Sequence, residues 1–217
     1  MKEKEVQKNA RERLLEVAGE VFSEVGFDAA TIREITKRAR VNLAAVNYYF
    51  RDKAELYSAV LMHVQRSAID PAQAAGSGSS EARLRDFIRG MLKHLLDPLR
   101  PAWHSRLMAR EMAAPTRKFP DLIGEGFRPK VELLDGILRD LTDGRLSDEE
   151  IARASASILA QCIFYRQNRA VILRLYPDLR DDGDQTDKLT EHIAAFSLGG
   201  LEGLKKLSPE KLTIGML

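Results

Sequence analysis

Residues 41–53 read VNLAAVNYYFRDK. The stretch is too aromatic to be left wholly in water and too polar to be wholly buried. Asn42 is suited to cap a helix running from Leu43 to Phe50. On a wheel of about 100° per residue with Asn42 at zero, Val46 falls near 40°, Phe50 near 80° and Leu43 near 100°. These three are expected to form the buried face. Ala44, Tyr48 and Ala45 point away from it, and Asn47 and Tyr49 lie at its borders.

An outward face of two alanines, a carboxamide and a phenol suits a nucleic-acid groove. Alanine lets a backbone come close, a methyl can pack on a thymine methyl, and Asn can pair with adenine. Tyrosine hydroxyls can reach phosphates. Periodicity alone fits equally an ordinary three-helix packing unit with tyrosines at its rim.

The surroundings are helical. Leu14, Leu15, Ala18, Val21, Phe22 and Val25 recur at spacings of three and four, which predicts a first helix over about 9–25, capped by Gly26. Thr31-Ile-Arg-Glu34 reads as a capping box opening a second helix to about Ala39. Ala39 to Asn42 is then the tight turn of a helix-turn-helix. Asp52-Lys-Ala-Glu55 starts a fourth helix, reaching about Ala68. IDPAQAAGSGSSE (69–81) reads as a linker, and DDGDQTD (181–187) as an acidic loop. Further helices are expected over about 81–96, 101–113, 118–142, 148–175 and 187–207, with Ser147 capping the fourth of these. The predicted fold is all-α: an N-terminal three-helix helix-turn-helix domain (1–54) and a larger C-terminal helical bundle (55–217).

The net charge of +2 is unevenly spread. Between 33 and 53 stand six basic residues, Arg33, Lys37, Arg38, Arg40, Arg51 and Lys53, against Glu34 and Asp52. A local basic patch suggests an anionic partner. The free N–H groups opening the second helix at Thr31 favour the same partner.

Enzyme motifs are missing. The histidines, His63, His94, His104 and His192, are scattered, and HExxH, GxGxxG, GxSxG and a P-loop are absent. DDGDQTD lacks EF-hand spacing. Cys162, the single cysteine, lies in an apolar stretch and reads as a core residue in a reducing, cytoplasmic compartment. Neither a secretory signal nor a membrane span is expected, and neither a cofactor nor a metal. The remaining rival is a helical adaptor that binds protein.

In the C-terminal part, SASILAQCIFY (155–165) is small or apolar on nearly every face. Ser197, Gly200 and Gly203 share a stripe on the last helix. These two helices fit an isologous four-helix dimer interface, with an intramolecular core as the alternative. Polar and aromatic residues that could line a pocket, each of which singly reads more readily as core or surface, are His94, Trp103, His104, Met108, Glu111, Phe127, Gln161, Phe164 and Tyr165.

The segment from about 10 to 56 resembles the DNA-binding domain of TetR-family transcriptional regulators. The matching residues are Leu14-Leu15, Ala18, Phe22, Gly26-Phe27, Thr31 to Ile35, Ala39 to Asn42, Val46 to Phe50, and Lys53. The resemblance implies phosphate contacts by Thr31, Tyr48 and Lys53, and base contacts from Asn42, Leu43, Ala44, Ala45 and Asn47. Arg33 and Tyr49 border the same surface. It further implies a homodimer on a near-palindromic double-stranded operator, a C-terminal pocket for a small-molecule inducer, and repression relieved through tilting of the fourth helix. The chain departs from the pattern at Arg40, where Gly is common, at Leu43, where a polar residue is common, and at Asn47, where an aromatic is common. REMAAP (110–115) with SILAQCIFYRQNRAV (157–171) resembles the CecR (YbiH)-like subgroup.

Overall fold

The computed structural model describes residues 2–66, 78–179 and 185–207. Among them there is no strand. The expected linker and acidic loop lie largely outside the described residues, as does the end of the fourth helix beyond Arg66. Two compact units are formed, one from residues 1–67 and 98–128, the other from 68–97 and 129–217.

The first unit contains α1 (Lys2–Ala29), α2 (Ile32–Ala39), α3 (Leu43–Phe50), α4 (Lys53–Arg66), α5 (Ala102–Ala113) and the short α6 (Phe119–Asp121), which continues as a π-helical turn, Leu122–Phe127. The apolar stripe of α1 is buried as expected at Leu14, Leu15, Ala18, Val21 and Phe22. Val25 is exposed instead, because the stripe outruns the helices packed on it. Gly26 breaks the helix with φ 83° and ψ 172°, which a side chain would resist. Phe22, Phe27 and Tyr57 pack ring to ring, Phe22 and Tyr57 edge-on at 4.8 Å. Trp103 and Leu107 of α5 close the same core.

Packing therefore carries the first unit past residue 54, the expected boundary. α4 buries Leu56, Tyr57, Val60, Leu61 and Val64 against the N-terminal helices, and α5 lies against α1. A Cβ on Gly19 would stand 2.2 Å from the Trp103 ring. That glycine is the slot that lets the indole reach α1.

The second unit contains α7 (Ser80–Leu96), α8 (Arg128–Leu141), α9 (Asp148–Gln167), α10 (Arg169–Leu175), a 3-10 turn (Pro177–Leu179) and α11 (Gln185–Leu207). Leu84, Phe87, Ile88 and Leu92 of α7 meet Leu134, Ile137 and Leu138 of α8, Ile151 and Ile158 of α9, and Ile193 and Leu201 of α11. Arg85 and Arg89 of α7 pair with Glu191 and Asp187 of α11. Ser147 and Glu150 form a reciprocal capping box for α9.

Two expected helices are interrupted. The 118–142 segment passes through the π-helical turn, and 148–175 breaks at Asn168, whose φ −104° and ψ 18° leave the helical region. Pro120 and Pro129 flank the first break, whereas no proline marks the second, where the apolar periodicity runs through.

Candidate nucleic-acid interface

α2 and α3 are each eight residues long, joined by Arg40, Val41 and Asn42. Thr31 caps α2, its Oγ1 accepting from the Glu34 N–H at 3.2 Å. The reciprocal half of the expected capping box is replaced: the Glu34 carboxylate accepts from Arg38 Nε at 2.7 Å. Arg40 ends α2 in the left-handed region, φ 52° and ψ 46°. Its N–H donates to Lys37 O, and the Val41 N–H to Thr36 O, which closes a Schellman-type end. Asn42 then caps α3, its Oδ1 accepting from the Ala44 N–H at 3.0 Å.

The face of α3 differs from the wheel at two positions. Val46 and Phe50 are buried as expected, with Arg11 stacked over the Phe50 ring at 5.3 Å. Leu43 is 55% exposed, because the first turn of α3 projects beyond the core that receives Val46. Ala45, expected outside, is half-buried and packs on the core, as does Tyr49. The outward set is Asn42, Leu43, Ala44, Asn47 and Tyr48, with Tyr48 73% exposed and its ring edge-on to Tyr49 at 4.9 Å.

The basic patch is smaller than six cations. Arg33, Lys37, Arg40 and Arg51 are exposed. Arg38 is committed to Glu34 and Glu24, whose hydrogen bonds hold its guanidinium above its ordinary pKa. Lys53 Nζ donates to the carbonyls of Phe27 at 2.9 Å, Asp28 at 3.3 Å and Ala30 at 3.1 Å, and sits 4.5 Å from the centroid of the Phe27 ring. It fastens the end of α1 and the strand of chain that delivers Thr31. Sequence reasoning missed this role, because the acceptors lie more than twenty residues upstream and are backbone.

The expected ligand residues divide between the units. Trp103, His104, Met108, Glu111 and Phe127 belong to the first; His94, Gln161, Phe164 and Tyr165 belong to the second. Trp103 is core, its Nε1–H donating to Glu16 Oε2 at 3.3 Å. Glu111 is fully buried and serves its own chain: Oε2 accepts from the Tyr57 hydroxyl at 2.6 Å, and Oε1 from the N–H and hydroxyl of Thr116. Burial and that bond push the Tyr57 phenol well above its usual pKa. Gln161 turns back to the Ser157 carbonyl, and Phe164 is 54% exposed. Cys162 is buried, which pushes its thiol up to about 12 and leaves it a core residue rather than a nucleophile.

Two short capped helices at a left-handed turn, the second offering small, amide and phenol side chains beside exposed arginines, are a helix-turn-helix head of a DNA-binding regulator. Residues 14–60 match the family described as bacterial regulatory proteins, tetR family, and residues 80–201 match the C-terminal domain of the HTH-type transcriptional dual regulator CecR. The chain belongs to the TetR family of transcriptional regulators, with a C-terminal part of the CecR type.

It is 28% identical over 205 residues to the HTH-type transcriptional repressor NicS of Pseudomonas putida, covering 88% of this chain and 92% of NicS. In fold it is similar to a transcriptional regulator from Pseudomonas aeruginosa PAO1, with a TM-score of 0.65, 20% identity, and 91% and 93% of the two chains covered. It is also similar to AibR, solved with isovaleryl coenzyme A and operator DNA, at a TM-score of 0.60 and 13% identity, over 86% of this chain and 97% of AibR. The relatives are regulators, and this chain is a DNA-binding regulator rather than an enzyme. Among the described residues no helix is long and apolar enough to cross a membrane.

Proposed function

We propose that the protein is a ligand-released repressor that binds a near-palindromic operator as a homodimer. The observation that carries the DNA reading is the outward face of α3, held by Val46 and Phe50 and presenting Asn42, Leu43, Ala44, Asn47 and Tyr48. Thr31, Arg33 and Tyr48 are assigned to phosphates, the remaining outward residues to base edges. Ala45 and Tyr49 act from behind, as packing. Lys53 supports the phosphate-binding turn by holding the carbonyls that precede it.

The dimer reading rests on the outer faces of α9 and α11. Ile163 and Phe164 are exposed on α9 and Phe196, at 66%, on α11. Gly199, Gly200 and Gly203 would each admit a Cβ into open space, so a second backbone could approach. Ser197, expected on the same stripe, is buried within its own unit. Two heads about 34 Å apart would read both halves of an operator.

Release requires an inducer that prefers the low-affinity arrangement of the heads; equal affinity for both arrangements shifts nothing. Within the second unit His94, Gln161 and Tyr165 remain the proposed ligand contacts. NicS is named a repressor, and repression in this protein is proposed on that likeness.

Selection of bound duplexes from a random pool tests the reading. The expected product is an inverted repeat with half-site centres about one helical turn apart, and a reporter behind it silenced by the protein. A selected pool without two-fold symmetry, or a reporter raised by the protein, overturns it.

A further inference from the structure

Two of the scattered histidines meet in the first unit. Glu16 of α1, His63 of α4 and His104 of α5 each offer a donor atom, and the three atoms lie within 4.8 Å of one another. We propose that Glu16, His63 and His104 form a binding site for a divalent transition-metal ion of the zinc class.

The geometry already approaches what such an ion demands. Ligands about 2.0–2.1 Å from a tetrahedral ion stand roughly 3.3 Å apart. His63 Nε2 and Glu16 Oε1 are 3.2 Å apart, and the two imidazoles meet edge to face with centroids 6.0 Å apart. The separations, at most 4.8 Å, have to close by up to about 1.5 Å to place the three donors on one centre, a shift that side-chain rotation supplies.

The donor set also selects the ion. Two imidazole nitrogens with one carboxylate suit zinc, nickel, cobalt or copper, and disfavour magnesium and calcium, which take oxygen. Three protein ligands leave a fourth position for water or a ligand atom, as in exchangeable rather than closed structural sites. Outer support is present. The second oxygen of Glu16 accepts from Trp103 Nε1 at 3.3 Å, which orients the carboxylate. Trp103 is held in turn by the Gly19 slot.

One feature opposes a cation. Arg100 Nε donates to His104 Nδ1 at 3.0 Å and its Nη2 to the Val64 carbonyl at 3.3 Å, so a positive charge stands at the edge of the site. An imidazole whose Nδ1 accepts carries its proton on Nε2, so His104 ligates only when Arg100 gives up this bond, and that exchange lowers affinity. Because the donors come from α1, α4 and α5, a bound ion ties those three helices together, and its occupancy adds to the stability of the unit that carries the DNA-binding face.

The test is zinc chloride titrated calorimetrically into the untagged, chelator-treated full-length chain, with cobalt chloride as a visible-absorption probe of the ligand set. One ion per chain is expected, with tetrahedral-type cobalt bands and a melting midpoint that rises with zinc. Glu16→Gln and His63→Gln are each expected to weaken binding at least about tenfold, no less than loss of a supporting residue does. Their side chains are 46% and 35% exposed, so the replacements leave the core intact, and circular dichroism of the ion-free variants checks this. No zinc binding by the folded parent, or undiminished binding by both variants, overturns the site. Neither result depends on DNA binding.

Discussion

Arg40 and Lys53 set the shape of the DNA-binding head from its two ends. Arg40 stands at φ 52°, where a side chain costs roughly 1 kcal/mol relative to glycine. Arg40→Gly is therefore expected to stabilise the chain by about 1 kcal/mol in urea unfolding; an unchanged or lower midpoint would show that the turn carries no strain. Lys53 holds three carbonyls with one ammonium. Lys53→Met is expected to cost about 2 kcal/mol, the scale of a charge-assisted hydrogen bond lost from a half-buried site. If its only role is on phosphate, stability stays unchanged and DNA affinity alone falls. The caps at Thr31 and Asn42 were legible in the sequence because each acts within three residues. The partners of Lys53 were not, because chain closure rather than local pattern brings them together.

At the scale of elements, the core faces of α1 and α3 were readable from spacing, and their ends were not. Val25 and Leu43 continue the apolar pattern where no neighbouring helix remains to cover it. Glu111 shows the reverse case. Its carboxylate read as a polar anchor for a ligand, but it joins α5 to α4 through Tyr57, with a fully buried acceptor on each oxygen satisfied from within. Tyr57→Phe deprives one oxygen of its donor and is expected to destabilise the chain by about 1–3 kcal/mol. A loss below about 0.5 kcal/mol in the same urea measurement would mean that the bond between α4 and α5 is dispensable.

For the whole molecule, the division into two units follows non-local packing. Residues 98–128 join the N-terminal helices because Trp103 fits against Gly19 and Leu107 and Leu122 complete that core. A lone glycine inside an amphipathic stripe gave no sign of this, and neither did the spacing of His63 and His104. The nine expected ligand residues fell in both units for the same reason. Assembly is expected to depend on the exposed face of α11: Phe196→Glu places a charge in the proposed interface, and sedimentation is expected to show a dimer for the parent and a monomer for the variant. A variant that stays dimeric would move the interface off this face.

The central claim is that the outward face of α3 binds duplex DNA, and Tyr48 tests it most directly. Tyr48 is exposed, so its removal leaves the core untouched, and it is uncharged, so the electrostatic part of binding is preserved. Affinity for the selected operator, measured by fluorescence anisotropy across a salt series, is expected to fall linearly with log salt. Tyr48→Ala is expected to give a parallel line about tenfold weaker, the loss of roughly one phosphate hydrogen bond. Absence of binding at low salt, or a Tyr48→Ala line superimposed on that of the parent, would contradict the account.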